Sequence, residues 1–466
     1  MSVGRTSNDK PTPVEALNED SIPISSNRPY FGTRNFRTEL VALALPTLVS
    51  LIAEPVFLII DSIIVGHLGP LQLAALGAAG SILSLITSTF IFLAYSTTSM
   101  VSKNLGRKDN DQAMESAISG TLLALIIGVV VAASSFVFRT NLLALIGTPK
   151  SVESFANSYL SIAVVGVPAM LVSFSALGSL RGFKKVGKTV RIQLLGYLVN
   201  AVLDLYLVYG LRLGISGAAI GTTTVQYLVA ITYLITLFDR KQLPRLALKL
   251  LVKGLAVAIR QGSGLVIRTI SLRLAIILTT WVAATMGSTE LAAQQALSTL
   301  WTFSAFSLDA IALALQVIIG HSIGEMDLKK SRTFTTWGLR WALVSGIIMG
   351  TLLVVAKGPI SQAFTSSHPV QEQISRTIWI LGLLQPLASL VYLLDGVLIG
   401  AGDGDFLAFA GVGATLAFLP IALGIHLLHF DLRWLWIGYG CFMFFRFSPL
   451  LLRARRDRWI IKAMNR

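Results

Sequence analysis

Twelve stretches of this sequence are each long and apolar enough to cross a lipid bilayer. They run roughly over 39–65, 72–101, 114–138, 158–180, 190–210, 215–238, 259–285, 290–320, 333–356, 374–399, 404–428 and 432–452. A crossing helix needs about 20 mostly apolar residues. Twelve such helices take up about half of the 466 residues, in keeping with the 54% that are hydrophobic. Only 13% are charged, about half the roughly 25% of a soluble protein. A soluble enzyme, a disordered protein and a disulfide scaffold are thereby excluded. The single cysteine, Cys441, allows no intrachain disulfide, so the fold does not depend on an oxidising compartment. The expected class is an all-α integral membrane protein.

The charge then reads as topology. Lys and Arg outnumber Asp and Glu 38 to 23, a net +15. In a soluble chain that would point to a nucleic-acid partner; in a membrane protein it reports which loops stay in the cytoplasm. With the N-terminus inside, 28 basic residues fall in inner segments and six in outer ones. The other four, Arg268, Arg273, Arg340 and Arg446, lie within spans. This alternation predicts an even number of spans, both termini cytoplasmic, and a multi-pass protein of the cell membrane with no nucleic-acid partner. Residues 1–37 hold Pro11, Pro13, Pro23 and Pro29 and no apolar period, which predicts a disordered cytoplasmic tail. The tail has no apolar segment of the signal-peptide kind, and Asp9, Glu15, Glu19 and Asp20 argue against a transit peptide. The expected division is an N-terminal lobe over 38–238, a cytoplasmic linker over 239–258, a C-terminal lobe over 259–452 and a basic cytoplasmic tail over 453–466.

The two lobes are expected to be copies. Residues 68–109 and 286–327 align without gaps at an offset of 218: Gly69 meets Gly287, Leu73-Ala74-Ala75 meets Leu291-Ala292-Ala293, and Gly106 meets Gly324. The same offset brings Pro168 onto Pro386, Gly178 onto Gly396 and Gly182 onto Gly400. Six spans per copy give both lobes the same orientation, a parallel repeat about an axis along the membrane normal. Two such bundles rocking about a central cavity suit alternating access.

Charges inside a bilayer are costly and mark function by default. In the first half these are Glu54 and Asp61 in span 1 and Asp204 in span 5. Glu54 and Asp61 share a helix face about two turns apart, as do Asn200 and Asp204 at i and i+4. Asp61 and Asp204 both fall in the outer half of the membrane. Two facing carboxylates in low dielectric cannot both stay ionised, so such a site would hold a proton or Na⁺, with Thr222 of span 6 adding a hydroxyl. The plainer alternative is interhelical hydrogen bonding. The second half lacks these groups: Asp61 falls on Thr279, Asn200 on Phe418 and Asp204 on Ala422. It has instead Asp309 in span 8, Asp395 in span 10, Arg268 and Arg273 in span 7, and Gln294 and Gln295 at the start of span 8. An Asp–Arg pair between these helices serves coupling, substrate binding or packing. Pro46 and Pro55 kink span 1, either statically or as a bend that answers ion binding. His426 and His429 have no further ligand beyond Asp431 and are not expected to hold metal. No Walker, HExxH, GxSxG or CxxC sequence is present, so no cofactor and no enzymatic activity are expected, and energy must come from a gradient.

Particular strings carry a resemblance. They are Ala44-Leu45-Pro46, AEPVFLIIDSIIVGHLGPLQLAALG (53–77), LRGFKKVGKTV (180–190), NAVLDLYLVYGLRLGISGAAIGTTT (200–224), MGSTELAAQQAL (286–297), FSLDAIALALQ (306–316) and YLLDGVLIGAGDGD (392–405). Over about 38–455 the chain resembles the multidrug and toxic compound extrusion (MATE) family, in its DNA-damage-inducible-protein-F branch. The resemblance implies twelve helices in two six-helix lobes and export driven by H⁺ or Na⁺ antiport. It implies that Asp61, Asn200, Asp204 and Thr222 match the family's first-lobe cation site, and that Asp309 and Asp395 match polar positions of the second lobe. Two departures stand out. Another branch uses an acid in span 7, where this chain has Arg268 and Arg273. Some close relatives have Glu where Gln316 stands. The expected function is a secondary active exporter of amphipathic or cationic small molecules, a monomer in the bilayer, with Glu54, Asp309, Asp395, Arg268 and Gln295 as further coupling or substrate groups. The alternative is a flippase for a lipid-linked glycan, as in a sister family, with Arg268 and Arg273 facing a diphosphate.

Overall fold

Asp109 and Asp327 open two helices in the same way. Each side chain accepts the backbone N–H three residues on, from Gln112 and Lys330, satisfying an N–H that helix geometry leaves free. Each follows a residue in the left-handed region, Lys108 (φ 61°) and Met326 (φ 58°). The positions differ by 218. The computed structural model in which these turns are seen describes residues 33–238 and 248–465. The expected tail up to residue 32 and the linker over 239–247 lie outside the described residues.

Twelve helices are long and apolar enough to span a membrane: Thr38–Gly66, Pro70–Gly106, Asn110–Val137, Lys150–Gly182, Val186–Gly210, Ile215–Leu237, Gly262–Met286, Ser288–Gly324, Leu328–Val355, His368–Gly400, Gly404–Leu427 and Leu432–Arg455. These are spans 1 to 12, and the described residues contain no strand. Several helices outrun their apolar stretches, because backbone hydrogen bonding propagates once started. Helix begins at Thr33 inside the expected tail. The second half of the expected linker belongs to the helix Leu248–Met286.

The C-terminal segment carries structure of its own. Within the expected basic tail, residues 458–465 form a helix, Arg458–Asn465, with Trp459, Ile460 and Ala463 buried. Its charged face is equally committed: Arg332 pairs with Asp457, and Lys462 with Asp403 at 3.2 Å. At its far end Lys103 donates to the Ala463 carbonyl at 2.6 Å and Arg107 to that of Met464 at 3.3 Å. Cations satisfy the carbonyls that a helix C-terminus leaves free.

The repeat holds in three dimensions. Gly69 (φ 137°) and Gly287 (φ 146°) precede spans 2 and 8. Short helices Arg139–Leu145 and Lys357–Phe364 follow spans 3 and 9. Within each lobe, a glycine of the fourth helix lies on a carbonyl of the second: Gly178 on Ala94, Gly396 on Ala312. Across the lobes the symmetry turns inward. A Cβ on Gly106 would strike the His321 carbonyl, and one on Gly324 the Lys103 carbonyl. Spans 2 and 8 thus cross backbone to backbone at one end of the molecule, where the C-terminal helix also lies. We call this the basic end.

Candidate functional site

Span 1 is zipped to span 5. Ser50 donates to Gln193, Gln193 donates to the Tyr197 hydroxyl at 2.7 Å, and Phe57 stacks on Tyr197 with centroids 4.8 Å apart. Toward the end opposite the basic end, the Tyr209 hydroxyl donates to the Ile64 carbonyl at 2.6 Å. This register brings Asp61 to Asp204, with the two carboxyl groups within hydrogen-bonding reach. Asp61 is 6% exposed, Asn200 2% and Asp204 0%. The Asn200 amide lies between Asp204 and Thr222; with its nitrogen toward the carboxylate it donates to Asp204 Oδ2 at 2.8 Å and accepts from the Thr222 N–H at 3.2 Å. The structure therefore gathers all four expected first-lobe residues.

Three features of this pocket escaped the sequence. Gly221 leaves room for Asp204, whose Oδ1 occupies the place a Cβ would take. Tyr159 of span 4, buried, lies beside Thr222 and closes the pocket. A π-helical turn, Tyr206–Gly210, follows Asp204, a distortion that recurs at functional sites. An isolated Gly221 in an apolar run was the one visible signal. Asp61 Oδ1 and Asp204 Oδ1 are buried with no hydrogen-bond partner among the described residues. Buried oxygens without donors are expensive, and a cation or proton between these carboxylates would satisfy them. Glu54 does not join the cluster; its electrostatic partner is Arg181, a buried guanidinium of span 4 that the sequence reading passed over. Span 1 continues helical through Pro46 and Pro55.

The second lobe holds an Asp–Arg pair between its helices. Arg268 donates to Asp395 Oδ2 at 2.6 Å, and Arg446 of span 12 donates to the same oxygen at 2.5 Å. Of the two expected acids, Asp395 takes the pairing, which runs from spans 7 and 12 to span 10. Arg273 is exposed and takes no part. Asp309 instead lies within hydrogen-bonding reach of Tyr95 in the first lobe, and Gln316 donates to the Tyr95 carbonyl at 2.8 Å. Gln295 is exposed, while its neighbour Gln294 is 2% exposed and donates to Ser298 at 3.2 Å. One residue is 100° of helix rotation, which the apolar pattern there did not resolve. His426 is taken up by Thr285 at 2.9 Å and by the Trp281 ring.

The position equivalent to the carboxylate pocket is filled. At the offset of 218, Thr279 stands for Asp61, Phe418 for Asn200 and Ala422 for Asp204. Phe418 and Tyr439 meet edge to face at 6.3 Å, and Trp301 meets Tyr439 at 5.2 Å. Only about 30 Å³ remains beside Thr279 and Gln294.

Two parallel six-helix lobes with membrane-buried charges define a polytopic transporter. The MatE family model matches residues 46–206 and 265–423, once per lobe, and the chain belongs to that family. It is a multi-pass membrane transporter of the multidrug and toxin efflux type, not an enzyme. It is 28% identical over 448 residues to Protein DETOXIFICATION 44, chloroplastic, of Arabidopsis thaliana, covering 92% of this chain and 84% of that one. It is 27% identical over 427 residues to DNA damage-inducible protein F of Escherichia coli, covering 89% and 91%. The fold is shared with a Vibrio cholerae MATE transporter at a TM-score of 0.83 and 19% identity, covering 92% and 99%.

Proposed function

We propose that the protein is a secondary active exporter of amphipathic or cationic small molecules, driven by inward flow of H⁺ or Na⁺ through the pocket of Asp61, Asn200, Asp204 and Thr222. The observation that carries this reading is the pair of buried, partnerless carboxylate oxygens, present in one lobe and replaced by aromatic rings in the other. With one proton between them the two carboxylates keep one negative charge, and a second proton or a Na⁺ neutralises it. Asn200 holds Asp204 Oδ2, so Oδ1 is the oxygen left for the ion. Loss of the ion restores repulsion between Asp61 and Asp204 across spans 1 and 5. Pro46 and Pro55 each remove one backbone hydrogen bond from span 1, which lets that helix bend in response. An apolar cavity of about 560 Å³ lies beside the same end of span 1, lined by Leu58, Ile59, Ser62, Ile63, His67 and Leu73, and suits an amphipathic substrate. The basic end faces the cytoplasm in this reading, by the excess of Lys and Arg in its loops.

The test is export of a cationic fluorescent dye from proteoliposomes under pH and Na⁺ gradients imposed separately. Acid or Na⁺ on the release side should accelerate export. Asp61→Asn and Asp204→Asn should reduce it to background while membrane insertion is unchanged; wild-type rates in both variants would overturn the proposal. The glycan-flippase alternative is not favoured, since Arg268 is engaged by Asp395 and the chain belongs to the MatE family.

A further inference from the structure

A cavity of about 510 Å³ opens at the basic end of the first lobe, between the start of span 5 and the end of span 6. Its rim carries Lys185, Lys188 and Arg191, and its wall is Ile192, Ile235, Thr236 and Phe238. The three cations recur at intervals of three, so they share one helix face. All three are exposed. Among the described residues, no acid lines the cavity and none forms an ion pair with these cations. Three like charges within two turns repel one another, and nothing described on this face relieves that repulsion.

The apolar part continues away from the cations along both helices. Leu195 and Leu198 of span 5 and Leu228, Ile231 and Ile235 of span 6 are all exposed, Ile235 at 71%. A cationic rim above a lipid-facing apolar groove matches one ligand chemistry, an anionic head carrying hydrocarbon chains. Basic pockets between spans at the cytoplasmic side are the sites where such headgroups bind. The other lobe supplies an internal contrast. At the offset of 218, Lys185, Lys188 and Arg191 become Asp403, Phe406 and Phe409. There the protein uses its own cations, Arg453 and Lys462, on Asp403 at 2.8 and 3.2 Å. A net excess of inner Lys and Arg orients the chain wherever those residues stand; it does not call for a concave apolar wall beneath three of them.

We propose that this cavity binds the headgroup of an anionic phospholipid, its phosphate on Lys185, Lys188 and Arg191 and an acyl chain along Ile231 and Ile235. The proposal is independent of the coupling ion. The test uses the full-length protein in detergent, with phosphatidylglycerol as probe and native mass spectrometry and thermal stability as readouts. Saturable retention of phosphatidylglycerol is expected, with none for phosphatidylcholine and no thermal shift from inorganic phosphate. The triple variant Lys185→Gln, Lys188→Gln, Arg191→Gln should weaken retention by on the order of a hundredfold, about fivefold per charge. A control with equal charge loss at the same end, Lys108→Gln, Lys329→Gln, Arg456→Gln, should retain the lipid. Should the triple variant not fold, Lys188→Glu alone is expected to show the loss. Equal retention in wild type and pocket variants, or equal loss in the control triple, overturns the proposal, as does an equal shift from inorganic phosphate.

Discussion

The two lobes share a backbone and differ in how they treat buried charge. In the first, Asp61 and Asp204 face each other and each keeps an oxygen without a donor. In the second, Asp395 is held by two guanidinium groups on one oxygen, and the equivalent of the carboxylate pocket is packed with Phe418 and Tyr439. A carboxylate saturated by arginines has nothing to gain from a passing cation. One that lacks donors does. Duplication preserved the helix crossings, set by glycine contacts such as Gly178 on Ala94 and Gly396 on Ala312, and left the side chains free to specialise.

The sharpest break of this contrast is Asp395→Ala. It strands Arg268 and Arg446 in the interior, and should destabilise the protein by about 3–5 kcal/mol, read as loss of monodisperse protein on size exclusion after heating. Asp204→Asn should leave the same measurement near wild type, since it removes a charge that no Lys or Arg neutralises. Next comes Tyr439→Ala, which opens a cavity among Trp301, Phe418 and Phe442 and should lower stability by about 3 kcal/mol. In the first lobe, Gly221→Ala should act on transport and not on stability. Its Cβ displaces the Asp204 carboxyl, so gradient-driven efflux should fall at least about tenfold, equivalent to ~1.4 kcal/mol, with the melting temperature little changed. The smallest effect concerns the tie between lobes. Lys103→Met removes the donor to the Ala463 carbonyl and should loosen the C-terminal helix by about 1 kcal/mol, measured as faster cleavage near Arg456 in limited proteolysis.

Much of this was legible in the residues. Asp61, Asn200, Asp204 and Thr222 stood out because charge and amide are rare in spans, and the structure brings them into one pocket. The offset of 218 was visible in glycines and prolines because close helix crossings tolerate little else. The partner of Arg268 was not legible. Several acids lay within plausible reach, and the choice of Asp395 over Asp309 depends on which helices meet, with Arg446 arriving from span 12. Gln294 and Gln295 differ by a rotation that a sequence pattern cannot resolve in an apolar helix. The C-terminal helix was hidden by the six basic residues of 453–466, which outnumber the three residues it buries.

What the sequence by itself determined is the number of spans, the repeat and the small set of intramembrane charges, because each follows from the cost of placing a residue in hydrocarbon. What only the tertiary structure decided is which of those charges are satisfied. That depends on distances of a few ångströms between side chains from different helices: Asp204 is left an open oxygen because Gly221 makes room beside it, and Asp395 is closed because two arginines converge on it.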